Sequence, residues 1–325
     1  MSFMFFTATA TAQDISSFLL PEINITMVPE NPKPNSTVHV SINSFATDLN
    51  SATVSWSVNG QVIKSGIAEK SIQVKVGSIT NTTAITATVT TLRGEVVEKT
   101  ISIKPTIVDL YWQSNSTTPP FYKGKALFSH QNTVTVVALP QITNVSGDQI
   151  DPRTLTYLWK KNGSVQESQS GYGKNTYTFN SSIISRPLGI SVEVTSPRSS
   201  SVGYASTNLV PGEPELLFYE KKPLLGIQFQ QALMGDYEML SPEINVVAYP
   251  YYFDVSSNNT LIYKWLINGS GYDNSSPSQI FRIPAGTSGS SLISLSVENP
   301  SKILQFVKNN FRLMFTQTES TENNF

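Results

Sequence analysis

One short pattern recurs three times along the chain and constrains its fold more than any other feature. Val54-Ser-Trp56-Ser-Val-Asn59-Gly60, Tyr157-Leu-Trp159-Lys-Lys-Asn162-Gly163 and Tyr263-Lys-Trp265-Leu-Ile-Asn268-Gly269 each place a large apolar residue, a gap, a Trp, two residues and Asn-Gly in one frame. The frames recur at about 100 residues, the size of a single immunoglobulin-like sandwich. In the first of them Val54, Trp56 and Val58 alternate with Ser55 and Ser57, which is the period of a strand with one buried face. Asn-Gly accepts the positive φ angles of a type I′ turn, so each Trp strand should reverse into a hairpin at Asn59-Gly60, Asn162-Gly163 and Asn268-Gly269.

A second register supports the repeat. Ile190-Ser-Val192-Glu-Val194-Thr-Ser-Pro197 matches Ile293-Ser-Leu295-Ser-Val297-Glu-Asn-Pro300, and Ile85-Thr-Ala87-Thr-Val89 is their counterpart in the first unit. Val136-Val-Ala-Leu-Pro140 matches Val246-Val-Ala-Tyr-Pro250, making units two and three closer to each other than to unit one. Alternation returns in Val38, Val40 and Ile42, in Ile101 and Ile103, and in Phe311, Leu313 and Phe315, whereas helical periodicity is confined to a short turn at Ile303 to Val307. The reading is all-β: three tandem immunoglobulin-like β-sandwich domains without disulfides, with Trp56, Trp159 and Trp265 between the sheets. Lys104-Pro105-Thr106 and Val210-Pro-Gly-Glu-Pro214 punctuate the units, which gives domains at 21–105, 106–212 and 213–325, with a polar tail from Thr316 to Asn324. Linkers this short, stiffened by Pro, predict a semi-rigid rod.

Residues 1–20 read as a signal-peptide remnant or frayed N-terminus. Phe3-Met-Phe-Phe6 leads through Thr7-Ala8-Thr9 into Ala10-Thr11-Ala12, a small-residue cleavage pattern, although no Lys or Arg precedes it and the apolar run is short. Together with a surface rich in Ser, Thr and Asn, this predicts an extracytoplasmic protein, secreted or on the cell surface. No stretch after it approaches the 18 or so apolar residues needed to span a bilayer.

Composition removes several chemistries. The 325 residues carry 22 Lys plus Arg against 23 Asp plus Glu, a net charge of −1, so a nucleic-acid partner is not expected. With no Cys and two His, the chain offers no thiolate site and no set of His ligands for zinc, and no cofactor is expected. His39 should face solvent on its strand, and His130 lies in the polar run Ser129-His-Gln-Asn132, so neither suggests a triad base. Gly286-Thr-Ser288-Gly-Ser lacks the last Gly of a nucleophile elbow. Asp109, Asp148, Asp151, Asp236, Asp254 and Asp273 are scattered, with Asp148 and Asp151 the closest pair, so calcium is not expected either. The Asn-x-Ser/Thr sequences at Asn24, Asn35, Asn81, Asn115, Asn144, Asn180, Asn258 and Asn274 point to a solvated surface.

The aromatic run Tyr249-Pro-Tyr251-Tyr252-Phe253 is the one stretch offering a contact surface for a protein or glycan partner, against the alternative that its members pack. Tyr111-Trp112 and Phe218-Tyr219, just after the linkers, read as packing.

The Trp-x-x-Asn-Gly hairpin in tandem units resembles the immunoglobulin-like and PKD-like domains of bacterial secreted and cell-surface proteins. Thr118-Pro-Pro-Phe121-Tyr-Lys-Gly-Lys-Ala126-Leu, Val136-Val-Ala-Leu-Pro140 and Glu215-Leu-Leu-Phe218-Tyr-Glu220 are similar to segments of uncharacterised exported tandem Ig-like/PKD-like proteins of candidate-phyla, Patescibacteria-type bacteria. The Trp-Asp-Phe-Gly-Asp-Gly core of PKD domains is absent. The resemblance implies an exported envelope protein near pili or export machinery and brings no catalytic residue with it. The expected function is a non-enzymatic structural or adhesive rod; a carbohydrate-binding array using the aromatics, or accessory domains of an envelope hydrolase, are the alternatives.

Overall fold

The computed structural model describes residues 22–316 apart from 145, 183–185, 198, 256–260, 273–274 and 285. The apolar start with its Ala-x-Ala run, Asp273, Asn258, Asn274 and the tail beyond Thr316 lie outside the described residues.

The described chain is built from strands, with no α-helix among the described residues. In its first part β1 (Asn24–Val28), β2 (Thr37–Asn43) and β5 (Ser71–Lys75) form one antiparallel sheet in the order β1-β2-β5. A second sheet runs β4-β3-β6-β7, from β3 (Thr53–Val58), β4 (Gln61–Ile67), β6 (Thr83–Thr90) and β7 (Val96–Ile103). Alternation decides which face is buried. On β6 every second residue, including Ile85, Ala87 and Val89, is shut from solvent and meets Val38, Val40, Val54 and Trp56 in one core.

A related division of strands between two sheets recurs along the rest of the chain. In the middle, β8 (Ile107–Ser114), β9 (Thr133–Gln141) and β13 (Thr176–Asn180) form the sheet β13-β9-β8. The sheet β11-β10-β14-β15 contains β10 (Thr156–Lys161), β11 (Ser164–Val165), β14 (Leu188–Ser196) and β15 (Ser199–Leu209), with β12 (Gly171–Tyr172) also pairing β10. Towards the C-terminus the sheet β17-β16-β19-β22 comprises β16 (Glu215–Lys222), β17 (Gly226–Ala232), β19 (Glu243–Tyr251) and β22 (Ser278–Arg282). Its partner, β18-β24-β23-β20-β21, comprises β18 (Asp236–Glu238), β20 (Ile262–Ile267), β21 (Ser270–Tyr272), β23 (Gly289–Glu298) and β24 (Phe306–Phe315). Here Leu216, Phe218, Val246, Trp265, Leu295 and Phe311 belong to one core. These are immunoglobulin-like β-sandwiches, identified by the division of their strands between two sheets and by a buried Trp on the strand that enters the Asn-Gly turn.

Close contacts divide the chain into two compact units. One comprises Met1–Asp109, Pro140–Thr156 and Glu193–Tyr204, the other Leu110–Leu139, Tyr157–Val192 and Ala205–Phe325.

Two local expectations change. Ile303 to Val307 contains no helical turn, because Asn299 and Gln305 close the β23–β24 hairpin: the Asn299 amide donates to the Gln305 carbonyl (3.0 Å) and its side chain to Gln305 Oε1 (2.8 Å). Conversely, single 3-10 turns form at Pro152–Thr154 and Glu167–Gln169, the first started by the Asp151 carboxylate accepting from the Arg153 amide (2.9 Å) and by Pro at the first helical position.

Candidate functional site

Two polar devices accompany each buried Trp. Trp56, Trp159 and Trp265 are no more than 1% exposed, and each indole N–H donates to a main-chain carbonyl a little further along: Glu69 (2.7 Å), Lys174 (2.9 Å) and Ser276 (2.9 Å). A buried indole left without an acceptor is costly, so this bond fixes both ring and loop. Asn59, Asn162 and Asn268 occupy the left-handed region (φ 51, 49 and 50°), followed by Gly60, Gly163 and Gly269 at 80 to 83°. Each Asn then brackets the next strand. Its Oδ1 accepts from the amide of Ala84 (2.9 Å), Gly189 (2.8 Å) or Leu292 (2.8 Å), while its own amide donates to that residue's carbonyl.

The aromatic run is divided by the pleat of β19. Register places Leu217 opposite Tyr249 and Tyr219 opposite Val247, so Tyr249 and Tyr251 face away from the core that holds Phe218 and Ala248. On that outer face Tyr219, Phe229, Tyr249 and Tyr251 make a second apolar cluster, with the Tyr251 hydroxyl donating to that of Tyr219 (3.1 Å). Burial, and then the Tyr219 contact, hold the Tyr251 phenol far above its ordinary ionisation range. Tyr251 is 2% exposed and Phe253 belongs to the core, so neither presents a face to a sugar or partner. The two rings that remain half-buried, Phe229 and Tyr249, meet edge-on at 81° and form no flat stacking platform. Tyr252 stands in the left-handed region (φ 66°), where its amide donates to the Thr117 carbonyl (3.1 Å) and its carbonyl accepts from the Ser129 hydroxyl (2.7 Å). The partner contact expected at Tyr249, Tyr251, Tyr252 and Phe253 is therefore mostly packing.

The densest polar arrangement lies beside that run and centres on Asp254, whose side chain is wholly buried. Its carboxylate faces the Lys302 amine (2.9 Å) and accepts from Asn115 Nδ2 (2.9 Å), and its amide donates to Gln305 Oε1 (3.1 Å). Lys302 Nζ also donates to the Gln131 carbonyl (2.6 Å), Gln305 Nε2 to the His130 carbonyl (2.8 Å), and the Thr117 hydroxyl to the Pro250 carbonyl (2.7 Å). Segments around 115–132, 250–255 and 299–305 of one compact unit are thus joined by side-chain hydrogen bonds and the Asp254–Lys302 ion pair. Such a network is stable when complete and expensive when one member is removed. In the other unit Lys104 Nζ donates to the Asn144 carbonyl, Thr143 to the Ile79 carbonyl (3.0 Å) and Thr106 to the Val202 carbonyl (3.0 Å).

The remaining candidates have structural surroundings. His39 is exposed on β2, and His130 Nε2 lies 3.3 Å from a Glu213 oxygen, with no hydroxyl nucleophile in that pair. Asp148 is hydrogen-bonded to Asn144, Asp151 caps its 3-10 turn and Asp236 faces Arg312 (3.4 Å). No group of three His, Cys, Asp or Glu residues suited to a metal occurs among the described residues. None of the helices there could cross a membrane.

No protein-family model matches the chain, and no curated protein does. Among solved structures it is similar to three N-terminal domains of the highly immunogenic outer capsid protein of bacteriophage RB49, at 12% identity over 92% of this chain and 100% of that one, with a TM-score of 0.26. The central fibronectin-III array of RIM-binding protein matches at 11% identity over 92% and 97%, TM-score 0.29. The Bacteroides ovatus protein SGBP-B, solved with a mixed-linkage heptasaccharide, matches at 9% over 91% and 70%, TM-score 0.21. At such scores the likeness carries no functional weight, and the sandwich fold stands on strand order and core.

Proposed function

We propose that the chain is a non-enzymatic, exported surface or envelope protein, a structural and adhesive array of immunoglobulin-like sandwiches. The observation that supports this reading is the network around Asp254. The buried polar groups that an enzyme would gather in an open cleft here tie neighbouring strand sets together, with Asp254 closed to solvent and matched by Lys302, Asn115 and Gln305. Sandwiches tied in this way suit bearing load and presenting a surface; the resemblance to exported bacterial proteins and the Ser-, Thr- and Asn-rich composition agree with an address outside the cytoplasm.

The test combines location and binding. Expressed with its own N-terminal residues in a bacterial host, the chain should be recovered outside the cytoplasm, and the purified protein coated on a surface should retain envelopes or cells. Recovery wholly in the cytoplasm would remove the address. Hydrolysis of envelope polymers by the pure protein would return the accessory-enzyme reading, and a specific hit on a glycan array the carbohydrate-binding one.

A further inference from the structure

The network around Asp254 holds three groups that can react with one another: the Asn115 carboxamide, the Asp254 carboxylate and the Lys302 amine. The carboxylate stands between the other two. Its Oδ1 accepts from Asn115 Nδ2 (2.9 Å) and its Oδ2 lies 2.9 Å from Lys302 Nζ. The main chain settles the orientation of the carboxamide: Asn115 Oδ1 accepts from the Thr133 amide (2.9 Å), which leaves Nδ2 turned to the carboxylate. Asn115 is also gripped at its backbone, where its amide donates to the Thr133 carbonyl (3.0 Å) and its carbonyl accepts from the Val255 amide (2.9 Å). Lys302 Nζ is held in turn by the Gln131 carbonyl, to which it donates (2.6 Å). The Asp254 side chain is wholly buried and that of Lys302 only 21% exposed, so bulk water is kept from the acid.

We infer that Lys302 and Asn115 become joined by an amide bond between Lys302 Nζ and Asn115 Cγ, with Asp254 relaying the protons. One proton crossing the Lys302–Asp254 contact leaves a neutral amine, a competent nucleophile, and a carboxylic acid. Nζ then adds to Cγ of Asn115. The charge that develops on Oδ1 meets the Thr133 N–H already aimed at it, as a preorganised donor does in acyl transfer. Asp254 gives its proton to Nδ2 and takes another from Nζ. The Cγ–Nδ2 bond breaks and the nitrogen leaves as ammonia, which removes the last proton as ammonium and restores the carboxylate. No oxidant, metal or cofactor is consumed. Holding amine, acid and amide in one hydrogen-bonded row supplies the proximity that the same exchange lacks between free groups in water. Asp254 suits the relay better than the place of the electrophile, because expelling water from its own carboxyl group would call for a further acid. The bond would link the segment after β8 to the β23–β24 hairpin, not the two sheets of one sandwich. It goes beyond the functional reading above, since it depends neither on location nor on a binding partner.

Peptide mass mapping of the full chain, folded and stored at neutral pH and then denatured and digested with trypsin, tests it. Trypsin does not cut at an acylated lysine, so residues 100–123 should appear joined to 283–308 as one branched peptide. Its mass should fall short of the sum of the two by one ammonia. Lys302→Arg keeps a cation beside Asp254 and should release 100–123 as a free peptide of full mass, with the far-UV circular dichroism of the parent. Asp254→Asn removes the relay and should leave both peptides free. The parent alone decides whether the bond exists: the idea is overturned if its 100–123 peptide is free and of full mass, as a plain ion pair would leave it. A joined peptide lighter by one water would also overturn it and place the bond on Asp254, and a joined peptide that persists in Asp254→Asn would overturn the proton relay.

Discussion

Replacing Trp159 separates what its ring volume contributes from what its hydrogen bond contributes. The ring is 0% exposed, lies 5.7 Å from Tyr177 in a stacked arrangement and donates to the Lys174 carbonyl at 2.9 Å. Trp159→Ala removes all three features, and a buried aromatic truncated to Ala costs about 3–5 kcal/mol. Trp159→Phe keeps most of the volume and the contact with Tyr177 but strands the carbonyl, for about 1–3 kcal/mol. A chain of several sandwiches has no single unfolding free energy, so the intact protein is best read by native-state amide exchange. In β10 and β14, protection should fall by roughly two to three and a half powers of ten in the Ala variant, at 1.4 kcal/mol per decade, and by about one to two in the Phe variant. Peptides from β3 and β6, whose core holds Trp56, should be unaffected. Unchanged exchange in the Ala variant would refute the core role of Trp159, and equal losses in both variants would refute the claim that volume dominates.

The Asn bracket can be dissected in the same way: Asn162→Gly keeps the left-handed turn and loses only the bond to Gly189, about 0.5–1.5 kcal/mol, while Asn162→Ala adds the strain of φ 49° and should cost about 1–2 kcal/mol more, read from exchange of β10 and β11. Asp254→Ala leaves the Lys302 amine without its carboxylate and should lower the stability of its unit by about 3–5 kcal/mol in calorimetry. Adding Lys302→Met should restore about 0.5–3 kcal/mol, and strict additivity would show that the two groups do not interact. Because burial raises the phenol pKa of Tyr251 in the folded chain above its ordinary 10.0, the stability it contributes is fully present below pH 10.0 and is lost as pH rises beyond it. Alkaline spectrophotometric titration should show its phenolate appearing only together with unfolding, and Tyr251→Phe should weaken the alkaline loss of stability.

The legible part of this chain is the part governed by local rules. Alternation identifies β3 and β6, and Asn-Gly identifies turns, because pleat and positive φ each need only a few consecutive residues. Even the outward position of His39 follows from Val38 and Val40 pointing inward. The Asp254 network obeys no such rule: its partners lie 139 residues back at Asn115 and 51 residues on at Gln305, and a lone Asp after an aromatic run looks like any loop residue. The aromatic run illustrates the other failure. Alternation states that Tyr249 and Tyr251 share a face, but only the strand neighbours reveal that this face is covered, since Tyr219 comes from β16 and Phe229 from β17. The three-residue β18, which pairs parallel with β24, is too short to carry a periodic signal.

A cysteine-free sandwich must hold its sheets in register without a covalent staple, and the recurring pair of devices shows how this is done. A disulfide contributes about 2–4 kcal/mol, mainly by restricting the unfolded chain. The indole bond and the Asn bracket act on the folded state, at about 0.5–1.5 kcal/mol for each hydrogen bond. Together they tie the Trp strand to its surroundings at both levels: through the indole to the loop that leads into the opposite sheet at Glu69, Lys174 or Ser276, and through the turn to Ala84, Gly189 or Leu292 on its neighbour. These bonds are too weak to replace a disulfide by energy alone, and burial of the ring stabilises the sandwich more than either of them. What they add is register. A one-residue slip of the Trp strand would turn the ring to solvent and break both the indole bond and the bracket, so the contacts fail together. The coupling explains why Trp and Asn-Gly recur as one motif at fixed spacing while the residues between them vary from Ser-Val to Lys-Lys to Leu-Ile.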